Sequence, residues 1–183
     1  KELGINDADS LRLAHMLVCE TVRRRNSIDA YINNILKPES MSELDLGLQA
    51  FLRLYVYQTR VAKKLSKIDL KEAQDVAKLA RSILVWKTLK KVEPVLGSLL
   101  TQNPRSIFEG ISDEEKIGLI TFHPTWSVKY CFKLFGRSET IAMLQADTQT
   151  PPTYIRFNTL KADEYQILEK ITVEGVRVAK VEQ

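Results

Sequence analysis

Glycine is scarce, cysteine and histidine are nearly missing, and long apolar runs do not occur; each shortage removes a class of function. The seven glycines are scattered, and none falls in a GxGxxG or GxxxxGK arrangement, so no loop that would cradle a dinucleotide or phosphate is encoded. Two cysteines, Cys19 in "LVCE" and Cys131 in "KYCFK", stand 112 positions apart without CxxC spacing, and only two histidines accompany them, which is too little for a tetrahedral metal site. Their apolar helical contexts read as buried free thiols in a reducing, cytoplasmic compartment. No apolar run approaches the ~20 residues of a membrane span. The first ten residues, "KELGINDADS", carry neither an initiating Met nor a basic-then-apolar leader, so the start reads as trimmed.

Catalytic groups are equally hard to assemble. His15 lies in an apolar helical stretch and reads as a core histidine, and His123, directly before Pro124, reads as part of a helix entry. Asp113, Glu114 and Glu115 stand together at a helix start, where carboxylates suit the dipole and need not form an acid–base pair. Neither cysteine has a neighbouring base, although Lys129 and Lys133 flank Cys131. The expectation is therefore no catalytic residue, no metal and no cofactor site within these 183 residues.

What is present is enough apolar material for a core, at 44% of residues, and an uneven charge. The net charge is only +4, yet residues 53–105 carry twelve basic side chains against four acidic ones, whereas the flanking thirds are each slightly acidic. Such a concentration suits an anionic partner, nucleic acid before membrane; the same lysines could equally serve as a solvated surface.

Hydrophobic spacing organises most of the chain into helices. Leu11, Ala14, Val18 and Val22 mark one over 7–25, behind an acidic first turn and ending in three arginines. A second runs from about 28 to 36, and a third, apolar nearly all round and hence central, from 43 to 65. A fourth, over 70–91, shows Val76, Leu79, Ala80, Ile83, Leu84 and Trp86 as its apolar side, and a short one follows over 92–100. Pro124 is suited to the first position of a helix that Gly136 ends, and another helix starts near Ser138. Pro151 and Pro152 then close the helical region. Beyond them "TYIRFN" alternates with period two, placing Thr153, Ile155 and Phe157 on one face and Tyr154, Arg156 and Asn158 on the other. With a helix over 163–175 and a strand in "VRVAKV", residues 150–183 read as a β-α-β unit beginning a small α+β subdomain. Two strands alone are marginal, which suggests further strands beyond Gln183.

Binding chemistry is the positive signal. Arg60, Lys63, Lys64 and Lys67 recur at three- and four-residue spacing, a geometry suited to phosphates. Arg23, Arg24 and Arg25 either contact RNA or complete a helix dipole. Tyr154, Arg156 and Asn158 would combine a ring, a guanidinium and an amide on one strand face, with Lys161 just beyond. That face either stacks unpaired bases or is covered by another domain through an Arg156 ion pair.

The stretch "FHPTWSVKYCFKLFGRSETIAMLQADTQTPPTYIRFNTLK" resembles the junction in the Nol1/Nop2/Sun (Fmu) family of S-adenosylmethionine-dependent RNA cytosine-5 methyltransferases. The matching residues are His123, Pro124, Trp126, Gly136, Glu139, Ala146, Pro151, Pro152, Arg156, Asn158, Thr159, Leu160 and Lys161. Asp147-Thr148, where that family usually has two asparagines, and Phe157, where it has a smaller aliphatic residue, depart from the pattern. Upstream, the helical region resembles the NusB-like RNA-binding domain of the Sun branch. The resemblance implies a mainly α chain: a NusB-like bundle over 1–149, then the start of an RRM-like subdomain over 150–183. It implies rRNA or tRNA as partner, together with a downstream methyltransferase domain of the same polypeptide that binds S-adenosylmethionine and carries catalytic cysteines in Thr-Cys and Pro-Cys contexts. Cys19 follows Val and Cys131 follows Tyr, so neither inherits a catalytic role. The alternative is a free-standing NusB-like interaction or antitermination module without enzymatic activity.

Overall fold

A computed structural model describes residues 7–62, 70–84, 86–149, 151, 154–156, 158, 160, 161 and 163–179. Ten α-helices are found among them: α1 Ala8–Arg23, α2 Arg25–Leu36, α3 Leu46–Val56, α4 Leu70–Ile83, α5 Trp86–Leu89, α6 Glu93–Thr101, α7 Asp113–Thr121, α8 Thr125–Phe135, α9 Arg137–Asp147 and α10 Glu164–Val173. The chain separates into two compact units, residues 1–148 and 149–183.

The core of the first unit is built where apolar side chains recur at helical spacing. Ile28, Tyr31, Ile32 and Leu36 of α2 meet Leu48, Phe51, Leu52, Tyr55 and Val56 of α3 and Leu96, Leu99 and Leu100 of α6. α3 is the central helix that its all-round apolarity predicts, and the end of the expected helix, 63–65, lies outside the described residues. At Tyr57 the backbone widens into one π-helical turn, Tyr57–Val61, and Ala62 N–H donates to the Tyr57 carbonyl at 2.8 Å. Tyr57, Thr59 and Arg60 within that turn are all buried.

Two amphipathic faces are rotated from their sequence reading. In α4 the buried residues are Ala73, Ala77 and Ala80; of the expected apolar side, Ala80 is buried and Val76 and Leu84 pack against the core, while Leu79 and Ile83 are exposed. Small alanines let the helix approach the core closely, and Leu79 and Ile83 are left outside. In α1 the helix turns Leu17 and Thr21 inward, so Leu11, Val18 and Val22 are exposed. His15 and Cys19 share that exposed side, with Cys19 Sγ 3.6 Å from His15 Nε2. The histidine is therefore not a core residue. Cys19 is an exposed free thiol and Cys131 a half-buried one, against the expectation that both are buried.

Helices α7, α8 and α9 pack on one another. Ser112 caps α7 by accepting from the Glu115 N–H at 3.2 Å, and Asp113, Glu114 and Glu115 occupy its first turn. Asp113 bonds Arg137 at 2.8 Å, joining the start of α7 to the start of α9. Pro124 stands at the N-cap of α8, one position before the expected one, and Gly136, at φ +78°, ends that helix and precedes α9.

The second unit corrects the expected fold class: no strand occurs among the described residues, so the β-α-β unit is not formed. Local hydrogen bonding explains the difference. Asn158 turns its side chain back to accept from the Leu160 N–H at 3.1 Å, and its carbonyl accepts from Lys161 N–H at 2.9 Å. An asparagine turn thus bends the chain inside "RFNTLK", where an alternating strand would have continued. α10 buries none of its residues, Ile155 is exposed, and residues 176–179 run on after Gly175, at φ +81°, without a partner strand among the described residues. Alternation alone does not hold a strand that lacks a neighbour and a core to cover.

Candidate nucleic-acid interface

The residues singled out for RNA lie in different settings. Arg23 and Arg24 share Glu20, the former at 3.8 Å and the latter in a close ion pair. Arg23 also donates to the Asp147 carbonyl at the end of α9 at 2.8 Å, and the Arg24 guanidinium lies 4.8 Å above the Phe122 ring. Both side chains tie helices together. Arg25 is the most exposed of the three arginines and stands 3.5 Å from Asp29, whose carboxylate is held in two bonds by Arg53 at 2.7 and 2.9 Å.

Arg60 is only 5% exposed, so it does not present a phosphate-binding surface. Its Nη2 donates to the Gln102 carbonyl at 3.4 Å. The Tyr31 hydroxyl is shared between the carbonyls of Leu99 at 2.9 Å and Gln102 at 3.2 Å. A buried cation is thereby set against the carbonyl end of α6, where the helix dipole is negative. Burial pushes the Tyr31 hydroxyl above its ordinary pKa, and the neighbouring Arg60 pulls it part of the way back. Lys63, Lys64 and Lys67 lie outside the described residues.

The basic middle segment is thus partly neutralised from within. Arg53 bonds Asp29, Lys78 stands 3.7 Å from Asp75, and Arg81 pairs closely with Glu93. Lys90, Lys91 and Arg105 are exposed and form no ion pair among the described residues. In the second unit, Tyr154 is 73% exposed, and Arg156, Asn158 and Lys161 are exposed as well; Asn158 spends its side-chain oxygen on the local turn.

The turn from α7 into α8 is built with close tolerances. Phe122 adopts the left-handed conformation at φ +64°, and His123 N–H donates to the Gly118 carbonyl at 2.8 Å. Asn26 Nδ2 bridges the carbonyls of Gly118 at 3.0 Å and His123 at 2.9 Å. A Cβ on Gly118 would stand 2.6 Å from the His123 oxygen, so glycine is required for this approach. His123 Nε2 is 3.7 Å from Asp147 Oδ2, which links the α8 entry to the end of α9. His123 is thus engaged in a structural junction.

The sequence reading missed the outward side of α8. Trp126 and Tyr130 are 72% and 58% exposed, and Lys129 and Lys133 on the same side are exposed as well. The signal was legible as i, i+3, i+4, i+7 spacing opposite the buried Val128.

A cavity of about 540 Å³ in the first unit is walled by aliphatic and aromatic side chains, including Ile28, Tyr31, Val56 and Phe108, with Arg24 and Arg105 as its charged residues and no carboxylate in its lining. No group of residues that could hold a metal ion is found among the described residues, and no described helix is long and apolar enough to cross a membrane.

Residues 123–183 match the family of the ferredoxin-like domain of RsmF/B-like methyltransferases. Over 169 residues the chain is 26% identical to the "Probable ribosomal RNA small subunit methyltransferase B" of Bacillus subtilis (strain 168), a match covering 90% of this chain and 36% of that protein. The chain therefore spans about a third of the length of the curated relative it matches. No solved structure matches the chain significantly. The two matches support the resemblance to the N-terminal region of the Nol1/Nop2/Sun methyltransferases.

Proposed function

We propose that this chain is the RNA-recognising N-terminal region of an RNA cytosine-C5 methyltransferase, acting on ribosomal RNA in the cytoplasm. The observation that carries the reading is the match along 90% of the chain to a protein named as a small-subunit rRNA methyltransferase. The helical unit acts as a NusB-like RNA-binding domain, and methyl transfer belongs to residues of the parent polypeptide beyond these 183, where S-adenosylmethionine binds. RNA affinity comes chiefly from phosphate contacts, because the exposed Lys90, Lys91 and Arg105 present positive charge without an ion pair among the described residues. Lys63, Lys64 and Lys67 add to the same basic segment. Tyr154, Arg156 and Lys161 supply a ring and two further cations from the second unit.

Two measurements test this. The 183-residue chain should bind transcribed small-subunit rRNA with an affinity that falls steeply with salt. In cells, deleting the gene should remove a 5-methylcytosine from small-subunit rRNA, read by bisulfite sequencing. Retention of every 5-methylcytosine in the deletion strain would refute the assignment of the reaction, and absence of RNA binding by the chain would refute its role in recognition.

A further inference from the structure

Helix α8 has two unlike sides. Val128 is fully buried, with Cys131 and Phe132 half-buried near it, and these residues hold the helix in its bundle. Opposite them stand Trp126, Lys129, Tyr130 and Lys133, all exposed. At ~100° and ~1.5 Å per residue the four side chains fall within about one third of the helix circumference, and the two rings are about 6 Å apart along the axis. Trp126 and Tyr130 contribute little to the core, since 72% and 58% of their surfaces face solvent. The lysines have no ion pair among the described residues, and α8 contains no carboxylate.

We infer that this face of α8 is a stacking site for unpaired RNA bases, with Trp126 and Tyr130 as platforms and Lys129 and Lys133 as contacts to the flanking phosphates. The inference rests on the RNA-binding reading above and adds a surface to it. Rings interleaved with cations on an open surface are the composition of single-strand sites, because every base has a face to stack and every nucleotide brings one negative charge. A protein-binding face would share the aromatics but be depleted of lysine at its centre, whereas here a lysine lies between the rings and another follows one turn later. The nearby Arg137, at the start of the next helix, is engaged elsewhere: it bonds Asp113 and its guanidinium lies 5.6 Å over the Phe132 ring, so the cations of this face are Lys129 and Lys133.

The test uses the 183-residue chain and an end-labelled, single-stranded oligoribonucleotide of mixed sequence, with the corresponding duplex as control. Trp126→Ala and Tyr130→Ala should each weaken single-strand binding about 5- to 100-fold, with little change in melting temperature and a smaller effect on the duplex. Trp126→Phe should keep most of the affinity because it keeps a ring. Lys129→Ala and Lys133→Ala should each lower the slope of log affinity against log salt by about 0.7. If the wild type binds RNA and the Trp126→Ala, Tyr130→Ala double variant binds equally well, the inference fails while the functional proposal stands. A wild type that binds no RNA overturns both. A wild type that sediments as a dimer which Trp126→Ala dissociates assigns the face to a second copy of the chain and overturns the inference.

Discussion

Two glycines in the first unit have opposite structural roles, and their substitution by alanine should have opposite signs. Gly118 is buried against the α7–α8 turn, and a Cβ there meets a backbone oxygen at 2.6 Å, which cannot move aside without breaking the His123 and Asn26 hydrogen bonds. Gly118→Ala should therefore cost roughly 1–3 kcal/mol through overpacking. Gly97 lies within α6, and an added Cβ would meet nothing within 4 Å, so Gly97→Ala should stabilise by about 0.5–1 kcal/mol through lower unfolded-state entropy and better helix propensity. Thermal or urea unfolding of the two variants checks the pair; equal signs would mean that the turn is looser than these distances require. Arg60 belongs to the same scale. Its side chain fills space between Tyr31 and the end of α6, so Arg60→Ala should lower stability by ~2 kcal/mol or more and leave the salt slope of RNA binding unchanged, because a buried guanidinium releases no counterions from RNA. A shallower slope in that variant would return Arg60 to the RNA surface.

At the level of elements, periodicity located most helices and misjudged which side of two of them is buried. The central α3 was legible because a helix apolar nearly all round leaves no choice of face. α4 was legible only in part: Val76, Ala80 and Leu84 face the core as the spacing predicts, but the buried side is shifted towards Ala73 and Ala77, which leaves Leu79 and Ile83 outside. The π-turn after Val56 left no mark in composition, and Arg60 within it is buried, which its own spacing along the sequence did not signal. The second unit shows the same limit from another side: the period-two pattern of "TYIRFN" was real, but Asn158 makes a turn and no described neighbour offers a ladder. α10 illustrates the consequence for stability. A helix of ten residues that buries none of them is marginal in water by itself. Its amides should therefore exchange with solvent orders of magnitude faster than those of α2, α3 and α6, which share the apolar core. Hydrogen exchange by mass spectrometry reads this directly, and protection of α10 equal to that of α3 would show that something covers it.

For the whole molecule, the excess of basic residues over 53–105 was plain from the sequence, but its usable part was not, because ion pairs with Asp29 and Glu93 and the burial of Arg60 are tertiary facts. Conversely, the α8 face was legible as spacing, but that Trp126 and Tyr130 stay exposed is a tertiary fact. Folding also gathers three tyrosines whose protons the native state retains. Tyr55 is buried among the core side chains, and that burial pushes its hydroxyl up to about 12. Tyr31 is raised by burial, with Arg60 opposing. Tyr57 is raised by burial and then by the Glu20 carboxylate, with Arg24 opposing. In the unfolded chain all three ionise near pH 10. Above that pH the unfolded state therefore sheds protons that the folded state keeps, and stability falls as pH rises. The contribution of Tyr55 is intact below about pH 10 and is lost progressively towards pH 12, about 3 kcal/mol in all. Tyr31 and Tyr57 add to the loss in the same direction. The first unit should thus lose stability steeply in alkali, with tyrosinate absorbance and helical circular dichroism changing together. Tyr55→Phe removes this ionisation and leaves the ring in place, so it should shift the alkaline midpoint upward by several tenths of a pH unit or more, at the cost of only a long 3.4 Å bond to the Leu96 carbonyl. If Tyr55→Phe unfolds at the same alkaline pH as the wild type, burial of this hydroxyl does not govern the transition.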